Sequence, residues 1–284
     1  MKRLISLILC MLMLSGFALS AYAEGGVADA TQMTTVEEVV EPGMTPVYAA
    51  DLVDGEYPVD FKCSSSMFRI ESALLKVADG KMEVTLTMGS KSFLYVYPGS
   101  AEQAVSMTED AWTAPVMLEN GDMTFTIPVE ALDAAVPCAA YSKNKELWYD
   151  RSLLFRADSL PVSAFREDFF TTAKSLGIEE GRYMVAVTLA GGSGKARVQS
   201  PTVLYMEDGA CTAVIGWSSK NYDYMKVAGE KYLAVPNEDN SAFRIPVLYF
   251  DRPMPVIADT VAMSEPHEIS YTLLFDASSL EAAP

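Results

Sequence analysis

The sequence has few of the residues that carry enzymatic chemistry. It contains a single histidine, His267, and it has no GxSxG, HExxH or phosphate-binding glycine loop. The glycine-rich run at residues 191–195 lacks the spacing of such a loop, and we expect it to form a hairpin between two strands. Hydrolase, zinc-protease and nucleotide chemistries therefore lack their usual parts. We expect that the protein is not an enzyme.

Cysteine is also scarce, with four residues in the whole chain. One lies in the N-terminal apolar segment, and the spacing of Cys63, Cys138 and Cys211 gives no CxxC pair, which argues against a zinc or redox motif. Cys63 and Cys138 have apolar counterparts, Leu189 and about Val256, in a second similar segment described below. A disulfide and a pair of buried free thiols both fit that pattern, so both stay open.

Long apolar runs are missing after the N-terminus. The chain starts with a short basic segment and a mostly apolar run at residues 4–14, and the small-x-small pattern at residues 21–23 is typical of a signal peptidase site. The apolar run is too short for a membrane span. We expect residues 1–23 to be a signal peptide, which makes the protein exported: secreted, cell-surface associated or periplasmic, with no membrane span in the mature chain.

Positive charge is in deficit. The chain has 21 lysines and arginines against 38 aspartates and glutamates, a formal net charge of -17. A surface with this charge repels nucleic acid and anionic membranes, which excludes both as expected partners. Half of the residues are apolar (50%), enough to fill two hydrophobic cores.

Two parts of the chain carry similar motifs in the same order, which indicates a duplication. The clearest matches are Asp54-Gly55-Glu56-Tyr57 with Glu180-Gly181-Arg182-Tyr183, Asp79-Gly80 with Asp208-Gly209, and Leu153-Leu154-Phe155 with Leu273-Leu274-Phe275. We therefore divide the chain into a signal peptide (1–23), a flexible leader (24–50), a first β-sandwich repeat (51–160), a linker (161–177) and a second β-sandwich repeat (178–280). Residues that differ between the repeats are candidates for a site.

Short alternating segments separated by turn residues predict an all-β protein. Turn signals recur about every eight to twelve residues, which favours two tandem immunoglobulin-like antiparallel β-sandwiches with short helical segments. We expect the helical segments at residues 218–225 and in the linker at residues 161–176. Phe165, Phe169 and Phe170 have roughly helical spacing in the linker, and we interpret them as packing residues between the domains.

The second repeat contains Trp217-Ser218-Ser219-Lys220-Asn221-Tyr222-Asp223-Tyr224-Met225 and, near its end, Met263-Ser264-Glu265-Pro266-His267-Glu268-Ile269-Ser270-Tyr271. Here the chain resembles NEAT (near-iron transporter) domains, the immunoglobulin-like haem-binding domains of bacterial cell surfaces. These domains hold haem between a short helix and the last hairpin, and their last strand commonly carries Tyr-x-x-x-Tyr, whose first tyrosine ligates iron. The resemblance implies haem binding, iron acquisition and transfer to another haem-relay protein or a transporter component.

The chain departs from the family motif because His267 replaces the first tyrosine and Tyr271 keeps the second. Haem needs an apolar slot, one or two iron ligands, and hydroxyl or cationic groups at the mouth. Residues i and i+4 of a strand share a face, so His267 and Tyr271 would line one wall. The resemblance then implies Met225, Met263 and His267 as candidate iron ligands, Tyr222 and Tyr224 as the other wall, and Ser218, Ser219 and Lys220 near the propionates.

Each candidate also has a structural explanation. His267 follows a proline and is suited to cap a turn, and methionines such as Met225 and Met263 often fill gaps in a core. Tyr222 and Tyr224 are matched by aromatic residues in the first repeat, which fits core packing. The first repeat has Val96 in place of Met225 and Leu147 and Arg151 in place of His267 and Tyr271, although Tyr97, Tyr141, Trp148 and Tyr149 offer a different site there. The alternative function is a structural or adhesive immunoglobulin-like module that binds a protein or a glycan.

Overall fold

The computed structural model describes residues 26–30, 38–41, 43–237, 240–262 and 267–283. The expected signal peptide and part of the expected leader lie outside these ranges. Strand is the main secondary structure, and the described strands pair antiparallel except for one two-residue parallel pair. The all-β class is therefore confirmed. No helix in the described ranges is long and apolar enough to cross a membrane.

Among its described residues, the first part of the chain contains one α-helix, α1 (Ala101–Ser106), and 3-10 turns at Ala49–Asp51, Glu109–Ala111 and Ala157–Ser159. Its strands are β1 (Gly26–Val27), β2 (Val47–Tyr48), β3 (Gly55–Pro58), β4 (Phe61–Cys63), β5 (Ile70–Ala78), β6 (Lys81–Met88), β7 (Phe93–Tyr97), β8 (Val116–Met117), β9 (Met123–Val129), β10 (Ala131–Leu132), β11 (Val136–Ser142) and β12 (Leu147–Phe155). One sheet has the order β1-β12-β11-β7, with β4 also paired to β12, and another has the order β3-β5-β6-β9-β8. The short strands β2 and β10 pair with each other.

The second part forms a single ten-stranded sheet with the order β14-β21-β20-β17-β18-β19-β16-β15-β13-β22. Its strands are β13 (Gly181–Val185), β14 (Val187–Gly191), β15 (Thr202–Glu207), β16 (Ala210–Gly216), β17 (Tyr222–Val227), β18 (Glu230–Val235), β19 (Ala242–Pro246), β20 (Met254–Thr260), β21 (His267–Phe275) and β22 (Glu281–Ala282), with 3-10 turns at Val162–Ala164 and Ala277–Ser279. Strand β18 pairs with β17 along most of its length and with β19 at its end. The sheet therefore passes from one layer to the other through β18.

The two parts pair their strands in the same pattern. In one layer β5 pairs with β3 and β6, and β6 pairs with β9, just as β15 pairs with β13 and β16, and β16 with β19. In the other layer β12 pairs with β4 and β11, as β21 pairs with β14 and β20. The registers place Cys63 and Leu189 at equivalent positions, and likewise Cys138 and Val256.

The hydrophobic core follows the two-residue alternation of the strands. On β6, for example, Met82, Val84, Leu86 and Met88 are buried while the residues between them are not. Burial of such a side chain stabilises the fold by about 1.5–3 kcal/mol. Most buried hydrophobic residues of both parts belong to one continuous core, which also includes Phe165 and Phe170 of the linker. A smaller separate cluster in the first part contains Trp112 and Trp148.

The two Asp-Gly pairs form the hairpin turns that the sequence predicts. Asp79 and Gly80 connect β5 to β6 with φ of 51° and 72°, and Asp208 and Gly209 connect β15 to β16 with φ of 51° and 75°. Positive φ at both central residues is the type I′ geometry, which matches the twist of the flanking strands. The same sequence signal therefore makes the same turn in both parts.

The expected linker helix is wrong. Residues 161–176 contain a single 3-10 turn and then run in an irregular path that is tied to both parts: Phe165 bridges to Leu52, and Thr171 bridges to Phe250. The backbone N–H of Phe250 donates to the carbonyl of Thr171 at 2.8 Å. Tertiary contacts of the three phenylalanines override their helical spacing, because helix propensity contributes only tenths of a kcal/mol per residue.

The expected helix at residues 218–225 is also wrong. Ser218 and Ser219 form a bend, and Tyr222 begins the strand β17. Tyrosine and valine favour a pleated, half-buried surface, and β17 finds partners on both sides in β18 and β20. The chain therefore has a strand where the NEAT resemblance implied a helical lip.

Cys63, Cys138 and Cys211 are free thiols. Cys63 and Cys138 lie on strands that pair with opposite edges of β12, so their backbones are two strand spacings apart, about 10 Å. A disulfide requires Cα atoms within about 7 Å, which explains why these two do not form one. Burial raises the pKa of the Cys138 thiol far above its usual range, as expected for an unreactive core cysteine.

Candidate functional site

Part of the predicted haem site comes together inside the second sheet. The ring centroid of Trp217 lies 4.1 Å from that of Tyr222 and 5.2 Å from that of Tyr271. Trp217 Nε1 donates to the Met225 thioether at 3.4 Å, and the hydroxyls of Tyr222 and Tyr271 are 3.1 Å apart. Met225 is fully buried and Trp217 is 2% exposed. These four side chains pack against one another at the place where the resemblance implied a haem slot.

The electrostatics of this cluster favour neutral groups. Burial raises the pKa of Tyr271 well above its usual range, and its hydrogen bond with Tyr222 raises it further. The Met225 sulfur already accepts the indole N–H of Trp217. The cluster is therefore a packed, internally satisfied group as it stands.

Tyr224 lies on the opposite face of the sheet from Tyr222. A bulge in the pairing of β17 with β20 falls between these two tyrosines, at Asp223, and it lets Tyr222 and Met225 face the core together. The Tyr224 hydroxyl donates to Glu268 Oε1 at 2.6 Å, and the amine of Lys231 lies 3.6 Å from the Tyr224 ring centroid. The hydrogen bond to Glu268 raises the pKa of Tyr224. Tyr224 is therefore not part of the predicted pocket wall.

The remaining candidates lie at the edge of the cluster or outside the described residues. His267 is exposed at the start of β21, and Met263 lies outside the described ranges. Met225 pairs with Ala258, which pairs with Ile269 two residues beyond His267. Met225 and His267 therefore sit in one layer of strands, about 10 Å or more apart by strand spacing. Two ligands in one wall do not lie above and below the same iron.

Ser218, Ser219 and Lys220 form the bend before β17. The Ser218 hydroxyl accepts the backbone N–H of Arg197 at 3.2 Å, and the Ser219 hydroxyl accepts that of Asn221 at 3.2 Å. Lys220 is exposed. Both hydroxyls thus stabilise the connection between strands, which is a structural role.

The glycine run beside Tyr271 does not form the expected hairpin. Strand β14 pairs with β21 and β15 pairs with β13, so residues 191–195 connect two layers instead of two paired strands. Gly192 has φ of +55°, and a Cβ atom there would lie 2.6 Å from Cε1 of Tyr271. Close packing on the Tyr271 ring therefore requires glycine at this position.

We expect Gly192→Ala to lower the free energy of unfolding by about 2–4 kcal/mol, from the positive φ and from overlap with Tyr271. Gly194→Ala is the matched control, because Gly194 has φ of +72° and a Cβ atom added there would have no neighbour within 4 Å; it should cost only about 1–2 kcal/mol. Urea denaturation of both variants measures the difference. Equal losses would show that the Tyr271 ring does not pack on Gly192.

The first part has a different arrangement at the equivalent places. Arg151 stands at the position of Tyr271 and is 7% exposed. On the outer face of this sheet, Tyr141 and Trp148 join Tyr95 and Trp112 in an aromatic cluster under α1, with ring centroids 4.9–6.4 Å apart. The sequence indicated Tyr141 and Trp148 as members of one group. It gave no motif that would have predicted Trp112 as a member of the same cluster.

The junction between the two parts contains a cleft of about 810 Å³. Its apolar lining is a stack of rings: the centroid of Phe170 lies 4.2 Å from that of Tyr249, and Phe169 lies 4.7 Å from Phe165 and 4.8 Å from Phe170. The guanidinium of Arg252 lies 4.3 Å from the centroid of Phe169. The sequence indicated these phenylalanines as domain-packing residues, and the structure adds that they also line an open cavity.

Most of the charged groups in the cleft already have partners. Arg156 contacts Glu41 at 3.5 Å and Asp158 at 2.8 Å. Asp133 and Asp251 occupy equivalent turns and accept the backbone N–H groups of residues 157 and 277 at 2.9 and 2.8 Å. Burial raises the pKa of Asp133. These carboxylates hold the ends of β12 and β21 against neighbouring loops.

No protein-family model matches the chain, and no curated protein is significantly similar to it.

Proposed function

We propose that this chain is an exported, non-enzymatic binding protein in which two tandem immunoglobulin-like sandwiches present a surface to another protein. The observation that carries the proposal is the interior around Met225. There Trp217, Tyr222, Met225 and Tyr271 pack against one another on the inner face of the layer that contains β17, β20 and β21. A haem relay needs a flat slot at this place, whereas a module that binds through its surface needs a filled core.

The repeated strand pairing supports the tandem sandwich arrangement. Each part has one layer built on β5, β6 and β9 or their counterparts β15, β16 and β19, and a facing layer built on β11 and β12 or β20 and β21. Antiparallel layers that bury a common core are the architecture of immunoglobulin-like modules. Such modules commonly act by presenting loops and strand edges.

Strand β8 offers the surface for a protein partner. Val116, Met117 and the following Leu118 are 59%, 51% and 45% exposed, and β8 ends the sheet β3-β5-β6-β9-β8, so no described strand pairs with its outer edge. An exposed apolar strand at the end of a sheet accepts another extended chain by strand addition. The geometry of that backbone favours a protein over a glycan, and the net charge of -17 favours a basic one.

Photo-crosslinking tests this proposal in the cells that produce the protein. Met117 is replaced by p-benzoylphenylalanine, and Leu233 serves as the matched control because it is 70% exposed on β18, a strand that lies between β17 and β19 and does not end the sheet. We expect a discrete protein adduct from position 117 alone, and loss of that adduct when Val116→Lys and Leu118→Lys are added. Absence of an adduct, or the same adducts from both positions, would contradict a docking site at β8.

A hemin titration of the purified protein separates this proposal from the haem hypothesis. We expect an unchanged Soret band at stoichiometric protein, because the thioether of Met225 is buried beneath Trp217. A shifted band that is lost in Met225→Leu, Met263→Leu or His267→Ala would instead support haem capture and transfer. It would mean that the cluster opens to admit the ligand.

A further inference from the structure

We propose that the junction cleft binds a small amphipathic organic anion, with an aromatic or alkyl body and a single carboxylate or sulfonate group. This inference does not depend on the protein-binding role of β8. It rests on the shape of the cleft, on its aromatic lining and on Arg252.

The cleft has the size and lining of a small-molecule site. Its volume of about 810 Å³ lies within the range of about 300–1,000 Å³ that is typical of such sites, which are often found where two domains meet. Phe165, Phe170 and Tyr249 are buried, while Phe169 is half-buried at the rim. An apolar body that covers the Phe169 ring would remove its remaining surface from water, which is favourable.

The cleft is also held in a fixed shape from both sides. The backbone N–H of Val53 donates to the carbonyl of Ala164 at 2.9 Å, and Arg166 Nε donates to the carbonyl of Ala50 at 2.8 Å, which ties the linker to the first part. The N–H of Phe250 donates to Thr171 and ties it to the second part. A preformed cavity loses less conformational entropy when a ligand binds.

Arg252 supplies the charge that selects an anion. Its guanidinium stacks on Phe169 at 4.3 Å and lines the cleft. Among the described residues, no carboxylate lies within ion-pair distance of Arg252. The other arginine of the cleft, Arg156, is already paired with Glu41 and Asp158. A carboxylate or sulfonate beside Arg252 would form a charge-assisted hydrogen bond with a planar guanidinium, a geometry that arginine favours.

Two further polar groups in the cleft already have hydrogen-bond partners. The Tyr249 hydroxyl donates to the carbonyl of Pro253 at 3.3 Å, and burial raises the pKa of this phenol well above its usual range. The Met44 sulfur accepts the backbone N–H of Glu41 at 3.4 Å. Four carboxylates also line the cleft, and they are bonded to Arg156 or to backbone N–H groups: Glu41, Asp133, Asp158 and Asp251. The groups left to recognise a ligand are therefore the apolar rings and the cation of Arg252.

Fluorescence titration of the purified protein with anilinonaphthalene sulfonate tests the proposal, with N-phenylnaphthylamine as its neutral counterpart. We expect the sulfonate to bind more tightly than the neutral probe, and Arg252→Gln to weaken sulfonate binding by about tenfold, as expected for loss of a charge-assisted hydrogen bond. The neutral probe should be unaffected by that change. Titrations at about 0.15 M salt limit the long-range repulsion from the acidic surface.

Three variants make the test specific. Arg182→Gln is the matched control, because Arg182 lies 6.0 Å from the Tyr205 ring centroid outside the cleft, and it should bind both probes like the unaltered protein. Arg252→Lys keeps the cation and should keep the preference for the sulfonate. Phe169→Ala should weaken the binding of both probes.

The ratio of the two affinities is measured within each variant, so a partial loss of folded protein does not change it. The same ratio in Arg252→Gln as in the unaltered protein would overturn the proposal. So would probe binding that disappears in Met117→Lys, which would place the probe on β8. Displacement of the sulfonate by naphthoate should accompany binding in the cleft, and failure of naphthoate to compete would exclude carboxylates from the ligand class.

Discussion

Replacement of Trp217 by alanine is expected to lower the free energy of unfolding by about 3–5 kcal/mol, the usual cost of removing a buried aromatic side chain. Trp217 is 2% exposed, its ring contacts Tyr222 and Tyr271, and its N–H is bonded to Met225. The variant would therefore lose ring contacts and leave a cavity beside the Met225 thioether. Urea denaturation followed by circular dichroism measures the loss.

Trp217→Phe is the control that separates the contribution of the aromatic ring from that of the indole N–H group. It keeps most of the apolar contact and loses only the bond to Met225 sulfur, so it should cost clearly less than the alanine variant. Added indole should raise the melting temperature of Trp217→Ala and leave that of the unaltered protein unchanged, because apolar cavities of this kind accept ring-sized ligands. A loss below about 1 kcal/mol in the alanine variant would contradict a filled core at this place and would reopen the haem hypothesis.

The same cluster shows how far the sequence could predict the site. The second part aligned with the first well enough to give Val96 as the counterpart of Met225 and Arg151 as that of Tyr271, and the strand registers agree. The resemblance placed Tyr222, Tyr224 and Met225 along a helical lip, whereas they lie on the strand β17, where strict alternation would put Met225 on the other face from both tyrosines. The bulge at Asp223 moves Tyr222 to the inner face with Met225 and leaves Tyr224 outside.

Bulges are local departures from pairing, and the residues around Asp223 carry no glycine or proline signal for one. The first part has a register shift at the equivalent place, between Tyr141 and Ser142 in the pairing of β11 with β7. Both parts therefore have a bulge at this position, but it can be recognised only when the paired strand is known. The all-β class was predictable from composition and turns, whereas the strand β17 and the direction of its side chains depended on tertiary pairing.

The linker illustrates the same limit on a larger scale. Phe165, Phe169 and Phe170 have helical spacing, and their role in packing between the two parts was predictable from their size. Their irregular path was not, because it depends on bridges to Leu52 and Phe250, which are distant in sequence. The cleft next to them likewise arises from the packing of two parts and leaves no motif in either one.

Phe170→Ala is expected to separate the unfolding of the two parts. Phe170 is 9% exposed and stacks on Tyr249 with an interplanar angle of 12°, and it also contacts Phe165 and Phe169. Because the core runs through these residues from one part to the other, the unaltered protein should unfold in a single transition. The variant should lose about 3–5 kcal/mol and unfold in two transitions, since tandem domains without a large apolar interface behave independently.

Differential scanning calorimetry detects the number of transitions, and Phe170→Leu is the matched control because it keeps an apolar side chain at the junction and should keep one transition. Sulfonate binding in the cleft should also fall in Phe170→Ala, since the rings of Phe169 and Tyr249 lose their common neighbour. Two transitions in the unaltered protein would show that the halves are coupled only through their linker. In that case the cleft would not be a preformed site, and the affinity expected from Arg252 would be reduced by the cost of bringing its two sides together.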